Sequence, residues 1–193
     1  IIRLKQMLKL AYQPKYPKYI EEDLTLGIVQ RREELPDIDP LLLAEQAMFL
    51  EAVASNSRTY FIVAFGTGIR PSEQVALEWS DIDYHRHLIY TRRQYVRGQL
   101  KILKTRHSKR SLTMLPPVKD ALLTLRQQKE GLVFPNTLGG YLDLANNRNR
   151  IWYPTLKAIG LGRREMYQCR HSFASVMLEA GESPAWVKEM LGH

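Results

Sequence analysis

The sequence predicts a mainly α fold of the α+β class, a helical domain carrying one small three-stranded antiparallel sheet. Three observations carry this. Apolar residues recur at spacings of three and four in several segments, as at Phe173, Val176, Met177 and Ala180. β-Branched and aromatic residues gather around His87–Val96. Proline and glycine punctuate the boundaries between such segments. With 193 residues and 22.4 kDa, the chain has room for one compact domain and part of another.

In chain order, Ile1–Tyr12 reads as a helix with Ile1, Leu4, Leu8 and Ala11 near one face, stopped by Pro14 and Pro17. Glu21–Pro36 has mixed charge and little periodicity, so residues 1–35 are expected to be the end of an upstream domain plus a linker. The main domain is expected over residues 36–193. Helices are predicted over Leu41–Ala54 and Arg58–Phe65, the second running into Gly66-Thr67-Gly68-Ile69-Arg70. Pro71 suits the first position of another helix, and Glu73 lies where the helix dipole favours an acid. Strands are predicted over His87–Val96, Gln99–Leu103 and Ser108–Met114, with Gly98 turning the first pair. A helix follows from Pro116 to about Gln128, then one over Leu144–Ile159 with a kink at Pro154. Arg170–Ala180 is an amphipathic helix closed by Gly181, and Ser183-Pro184 starts a last one that stops at Gly192.

Charge narrows the class of partner. The net charge is +8 and the pI about 9.6, which points to a polyanion. Between Tyr84 and Lys119 there is no Asp or Glu, yet that stretch holds Arg86, Arg92, Arg93, Arg97, Lys101, Lys104, Arg106, Lys109, Arg110 and Lys119. A solvated surface intersperses both signs, whereas a segment cleared of carboxylates suits phosphate contact. No apolar run approaches the roughly 20 residues that span a bilayer. The single cysteine, Cys169, excludes an intrachain disulfide framework, and Cys169 with His171 lacks further metal ligands at useful spacing. Asp81 and Asp83 read as turn residues, and His85, His87 and His107 belong to the basic segment.

Two arginines stand out. Arg70 sits between a glycine-punctuated turn and a helix start, with Glu73 one turn on to brace its guanidinium. It is either a fork for phosphate oxygens or a structural Arg–Glu pair. Arg170 opens an amphipathic helix at the edge of its buried face. It serves an anion at the helix start, or it is paired with an acid or turned to water.

The residues around these arginines resemble the catalytic domain of the tyrosine recombinases, the phage-integrase family, over about Pro36 to His193. Gly68-Ile69-Arg70-Pro71-Ser72-Glu73 is similar to the family's first arginine box, and Leu103-Lys104-Thr105-Arg106 to its β-hairpin lysine. Arg170-His171-Ser172-Phe173-Ala174-Ser175 is similar to its second arginine box, and Leu191-Gly192-His193 to the box before the nucleophile. Ile1–Tyr12 likewise looks like the end of the DNA-gripping domain that precedes the catalytic one.

The resemblance implies that a tyrosine hydroxyl attacks a DNA phosphodiester, giving a 3′-phosphotyrosyl link and a free 5′-hydroxyl, and that reversal onto another strand rejoins DNA. It implies Arg70 and Arg170 against the charge that builds on the non-bridging oxygens, Lys104 as general acid and His193 as a hydrogen-bond donor. Glu73 and His171 are supporting residues, and neither metal nor other cofactor is implied. The family's usual histidine three residues before the second arginine is Tyr167 here, which either donates a hydrogen bond to phosphate or is a core aromatic. The nucleophile is expected beyond His193, so these residues alone are expected to bind DNA without forming the covalent link. Expected phosphate contacts are Arg92, Arg93, Arg97, Lys101, Arg106, Lys109, Arg110, Arg148 and Arg150. Base contacts are open between the first strands, the Lys104–His107 turn and the helix near Asn146–Arg150. The partners implied are double-stranded DNA and other subunits, four on two DNA sites, in the cytoplasm of a bacterial host. The competing reading is a non-catalytic DNA-binding protein that kept the fold.

Overall fold

The chain divides into two compact units, Ile1–Asp37 and Ile38–His193. A computed structural model describes residues 38–103, 109–125 and 130–192. The helix and linker expected before Pro36 lie outside these residues, as do Lys104, Arg106, His107, His193 and the end of the helix expected to reach Gln128.

Helices dominate, as expected. Two run in succession from the start of the described part, α1 (Leu43–Ala52) and α2 (Ser55–Thr67), and a single turn, α3 (Pro71–Gln74), follows. After the sheets come α4 (Pro116–Leu125), α5 (Leu144–Asn147), α6 (Tyr153–Ala158), α7 (Gln168–Glu179) and α8 (Pro184–Leu191). The last helix keeps its expected ends: Ser183 Oγ accepts the Trp186 N–H and Gly192 closes it at φ +69°. The segment over Leu144–Ile159 is helical in three pieces, because a wide π-type turn, Arg148–Trp152, joins α5 to α6. Pro154, one residue into α6, has no N–H to offer the previous turn, and its ring crowds the carbonyl there, which the wider turn relieves.

The β-structure is drawn differently from the expectation. The stretch His87–Val96 breaks at Arg92 into β2 (Leu88–Thr91) and β3 (Arg93–Val96). A three-stranded antiparallel sheet is present, but its order is β1 (Ile82–Asp83), β2, β5 (Arg110–Thr113). β3 pairs instead with β4 (Gln99–Ile102) as a separate hairpin. The break has a visible cause. Thr91 Oγ1 takes the backbone of Arg110 on both sides, accepting its N–H at 3.2 Å and donating to its carbonyl at 3.0 Å. Arg93 is then drawn aside to Asp81 and Glu78, each at 2.6 Å. At the hairpin tip both Arg97 (φ +51°) and Gly98 (φ +76°) are left-handed, as a type I′ turn requires.

One core runs from α1 and α2 through α4, α7 and α8 to the face of β2 and β5, and an aromatic group fills part of it. Phe49, Phe61 and Phe65 surround Trp152, with ring centroids 4.7, 5.6 and 6.2 Å from it. Trp152 is fully buried, and its indole N–H donates to the Arg164 carbonyl at 2.7 Å, so the one polar atom of that ring is satisfied. Trp152→Ala is expected to lower the unfolding free energy by about 3–5 kcal/mol, read from urea melts. Less than about 1 kcal/mol would mean that the aromatic cluster is not what holds these helices together.

Candidate active site

Backbone geometry at Gly68 assembles the site. This residue ends α2 in the left-handed conformation, φ +61°. A Cβ there would stand 2.7 Å from Phe173 Cδ1 on α7 and 2.8 Å from Leu191 Cδ2 on α8. Only glycine lets the end of α2 approach α7 and α8 so closely. Gly68→Ala is expected to cost about 2–4 kcal/mol, the left-handed strain added to overpacking, measured by thermal melting. An unchanged melting temperature would show that α2, α7 and α8 do not meet at Gly68 as described.

Arg170, the third residue of α7, is 2% exposed, so it is not turned to water, and among the described residues no acid forms an ion pair with it. Its Nη1 donates to the Gly68 carbonyl at 2.8 Å and its Nη2 to the Leu191 carbonyl. Of the five N–H donors of a guanidinium these bonds take two. Burial, and then the nearby charges of Arg70 and Arg110, push its pKa down to about 10, which still leaves it charged at neutral pH.

Arg70 sits just ahead of α3 and is 30% exposed. Its Nη1 donates to Glu73 Oε1 at 3.0 Å and its Nη2 to the Gly192 carbonyl at 3.4 Å. Glu73 Oε2 also accepts the Arg70 backbone N–H at 3.2 Å, one half of a capping box. The two arginines thus lean on consecutive carbonyls, Leu191 and Gly192, at the end of α8.

A third guanidinium completes the cluster. Arg110, expected among the solvent-facing phosphate contacts, is instead 5% exposed and grips Glu73 from the other side, with Nη1 to Oε1 at 3.1 Å and Nη2 to Oε2 at 2.9 Å. Its Nε donates to the Met190 carbonyl at 2.7 Å. The strand pattern held the signal: Arg110 shares a face with Leu112, which is fully buried. Burial alone pushes the Glu73 carboxyl up, but the hydrogen bonds and charges of Arg110, then those of Arg70, outweigh it, so its pKa lies below the ordinary value. Among the described residues Glu73 is the one acid paired with these arginines. Two guanidiniums on one carboxylate, with Arg170 beside them on backbone carbonyls, leave a local excess of two positive charges.

The remaining expected residues fall into groups. Tyr167 is 42% exposed with its ring 5.4 Å from that of His171, so it is not a core aromatic. His171, half-buried beside Arg170, has its pKa lowered by burial and by that charge, which favours neutral imidazole. Arg92 lies 3.5 Å from Asp81 and Arg93 bridges Asp81 and Glu78, so both are partly neutralised within the fold. Arg97, Lys101, Lys109 and Arg150 are exposed and Arg148 half-buried. Among the described residues no group of three or more His, Cys, Asp or Glu is placed to hold a metal ion. No described helix is long and apolar enough to cross a membrane.

The model of the phage integrase family matches residues 41–193. The chain belongs to the phage integrase family. It is 26% identical to the prophage integrase IntR of Escherichia coli (strain K12), over all of this chain and 53% of that protein. It is 31% identical to the tyrosine recombinase XerA of Thermococcus onnurineus (strain NA1), over 93% of this chain and 57% of that one. The chain spans about half the length of the curated relatives it matches. Among solved structures, the Tn1549 transposon integrase in complex with transposon right end DNA superposes with a TM-score of 0.77 at 19% identity, covering 98% of this chain and 68% of that one. A lambda integrase tetramer bound to a Holliday junction gives 0.65 at 17%, covering 98% and 56%. These likenesses establish that the helical fold with small antiparallel sheets is that of the integrase catalytic domain.

Proposed function

We propose that the chain is the phosphate-activating part of a site-specific DNA recombinase that cuts and rejoins strands through a 3′-phosphotyrosyl intermediate. The observation that carries the reading is the arginine cluster: Arg70 and Arg170 brought to adjacent carbonyls, with more positive charge than Glu73 neutralises. As the tyrosine hydroxyl gives up its proton to water and its oxygen bonds to phosphorus, charge accumulates on the non-bridging oxygens. Two preorganised forks already held by backbone carbonyls need little reorganisation to receive it. The bond to the 5′-oxygen then breaks, and that oxygen takes a proton. Lys104, in the hairpin-lysine box, is the proposed donor. His193 and Tyr167 donate hydrogen bonds to the phosphate, and the nucleophile is the tyrosine that the family places after the Leu191-Gly192-His193 box. Arg97, Lys101, Lys109 and Arg150 supply backbone contacts to double-stranded DNA. The relatives support the partners as well: the Tn1549 integrase is bound to DNA, and the lambda integrase assembles as a tetramer on a junction.

The test uses the full encoded protein on duplex DNA carrying its recombination site. A covalent adduct that survives denaturant, carries protein on a 3′-phosphate and forms in excess chelator is expected. Salt-sensitive binding with no adduct would instead favour the non-catalytic DNA-binding reading.

A further inference from the structure

We propose that Arg110 is a positioning residue of strand transfer: it acts through Glu73 to hold Arg70 in place and does not itself touch the phosphate. The inference rests on the recombinase reading above. Its side chain is buried and engaged on two sides, both Glu73 oxygens and the Met190 carbonyl. Glu73 Oε1, which accepts from Arg110, is also the atom that accepts from Arg70 at 3.0 Å. Met190 in turn precedes Leu191 and Gly192, whose carbonyls hold Arg170 and Arg70. One guanidinium therefore ties α3 to the last turn of α8, the two elements that set where Arg70 lies. The donor itself is fixed, since Thr91 Oγ1 clamps its backbone on both sides. Spanning two carboxylate oxygens and a carbonyl at once needs a planar fork, and a lysine ammonium offers no such geometry.

Single-turnover adduct formation at saturating DNA is measured for the full encoded protein and for Arg110→Met, Arg110→Lys, Glu73→Gln and the Arg110→Met/Glu73→Gln double variant, each checked for folding by circular dichroism. Arg110→Met is expected to slow adduct formation by about 10²-fold through misplacement of Arg70, with DNA affinity unchanged. Arg110→Lys does not restore the rate, and the double variant is no slower than the slower single one. Losses that multiply would show a direct phosphate contact, and a fully active Arg110→Lys would show that charge alone suffices; either overturns the proposal.

A second readout, independent of cleavage, is the rise in Tm caused by inorganic phosphate. It is expected to shrink in each single variant and to shrink no further in the double. If the wild type forms no adduct but the phosphate pattern holds, the recombinase reading fails while the positioning of Arg70 by Arg110 stands. A phosphate effect absent from the wild type, or losses that add in the double variant, overturns the positioning itself.

Discussion

Arg170→Lys is expected to lower single-turnover strand cleavage by the full encoded protein about 10²–10³-fold, with little change in DNA affinity. The charge is kept, so a loss reports on the fork. Arg170 uses two donors to fix itself on the Gly68 and Leu191 carbonyls, and on the proposed reading the rest meet the phosphate. A lysine head has three donors on one nitrogen and cannot bridge two carbonyls while also meeting phosphate oxygens. Affinity changes little because the exposed basic residues Arg97, Lys101, Lys109 and Arg150 are untouched. Wild-type cleavage by a folded Arg170→Lys protein would remove Arg170 from the phosphate site.

The second large effect falls on stability. Glu73→Gln leaves Arg70 and Arg110 without their shared carboxylate, and breaking a buried charge network in this way costs about 3–5 kcal/mol. Urea melts at neutral pH check the figure. Acidity acts on the same group. Because the folded carboxyl titrates below its ordinary value of 4.5, its contribution is complete above that pH. It is lost as pH falls through the lower folded value, where the unfolded chain binds more protons. The acid limb of the stability curve should therefore be shallower in Glu73→Gln than in the wild type. Identical acid limbs would mean that Glu73 does not carry the charge balance of the cluster.

Local chemistry made much of this legible in the sequence. Pro71 as a helix start, Glu73 one turn from Arg70, the span of α8 and the placing of Arg170 in the first turn of α7 all follow from residues within a few positions of each other. What escaped depends on partners far along the chain. Arg170 is held by a carbonyl 102 residues away and Arg110 by a carboxylate 37 residues away. A count of basic residues cannot separate a buried fork from a solvated one. The split of His87–Val96 at Arg92 was likewise invisible, because Thr91 bonds to a residue 19 positions on, and only then do β2 and β3 take different partners.

The proposed role of the arginine cluster is to neutralise charge gained by one phosphate. It is tested most directly by comparing cleavage of a duplex carrying a neutral methylphosphonate at the scissile position with cleavage of the natural diester, for wild type and Arg170→Ala. With one charged oxygen replaced by methyl, less charge needs neutralising, so the penalty for losing Arg170 should largely disappear. An Arg170→Ala defect equally severe on both substrates would contradict the claim.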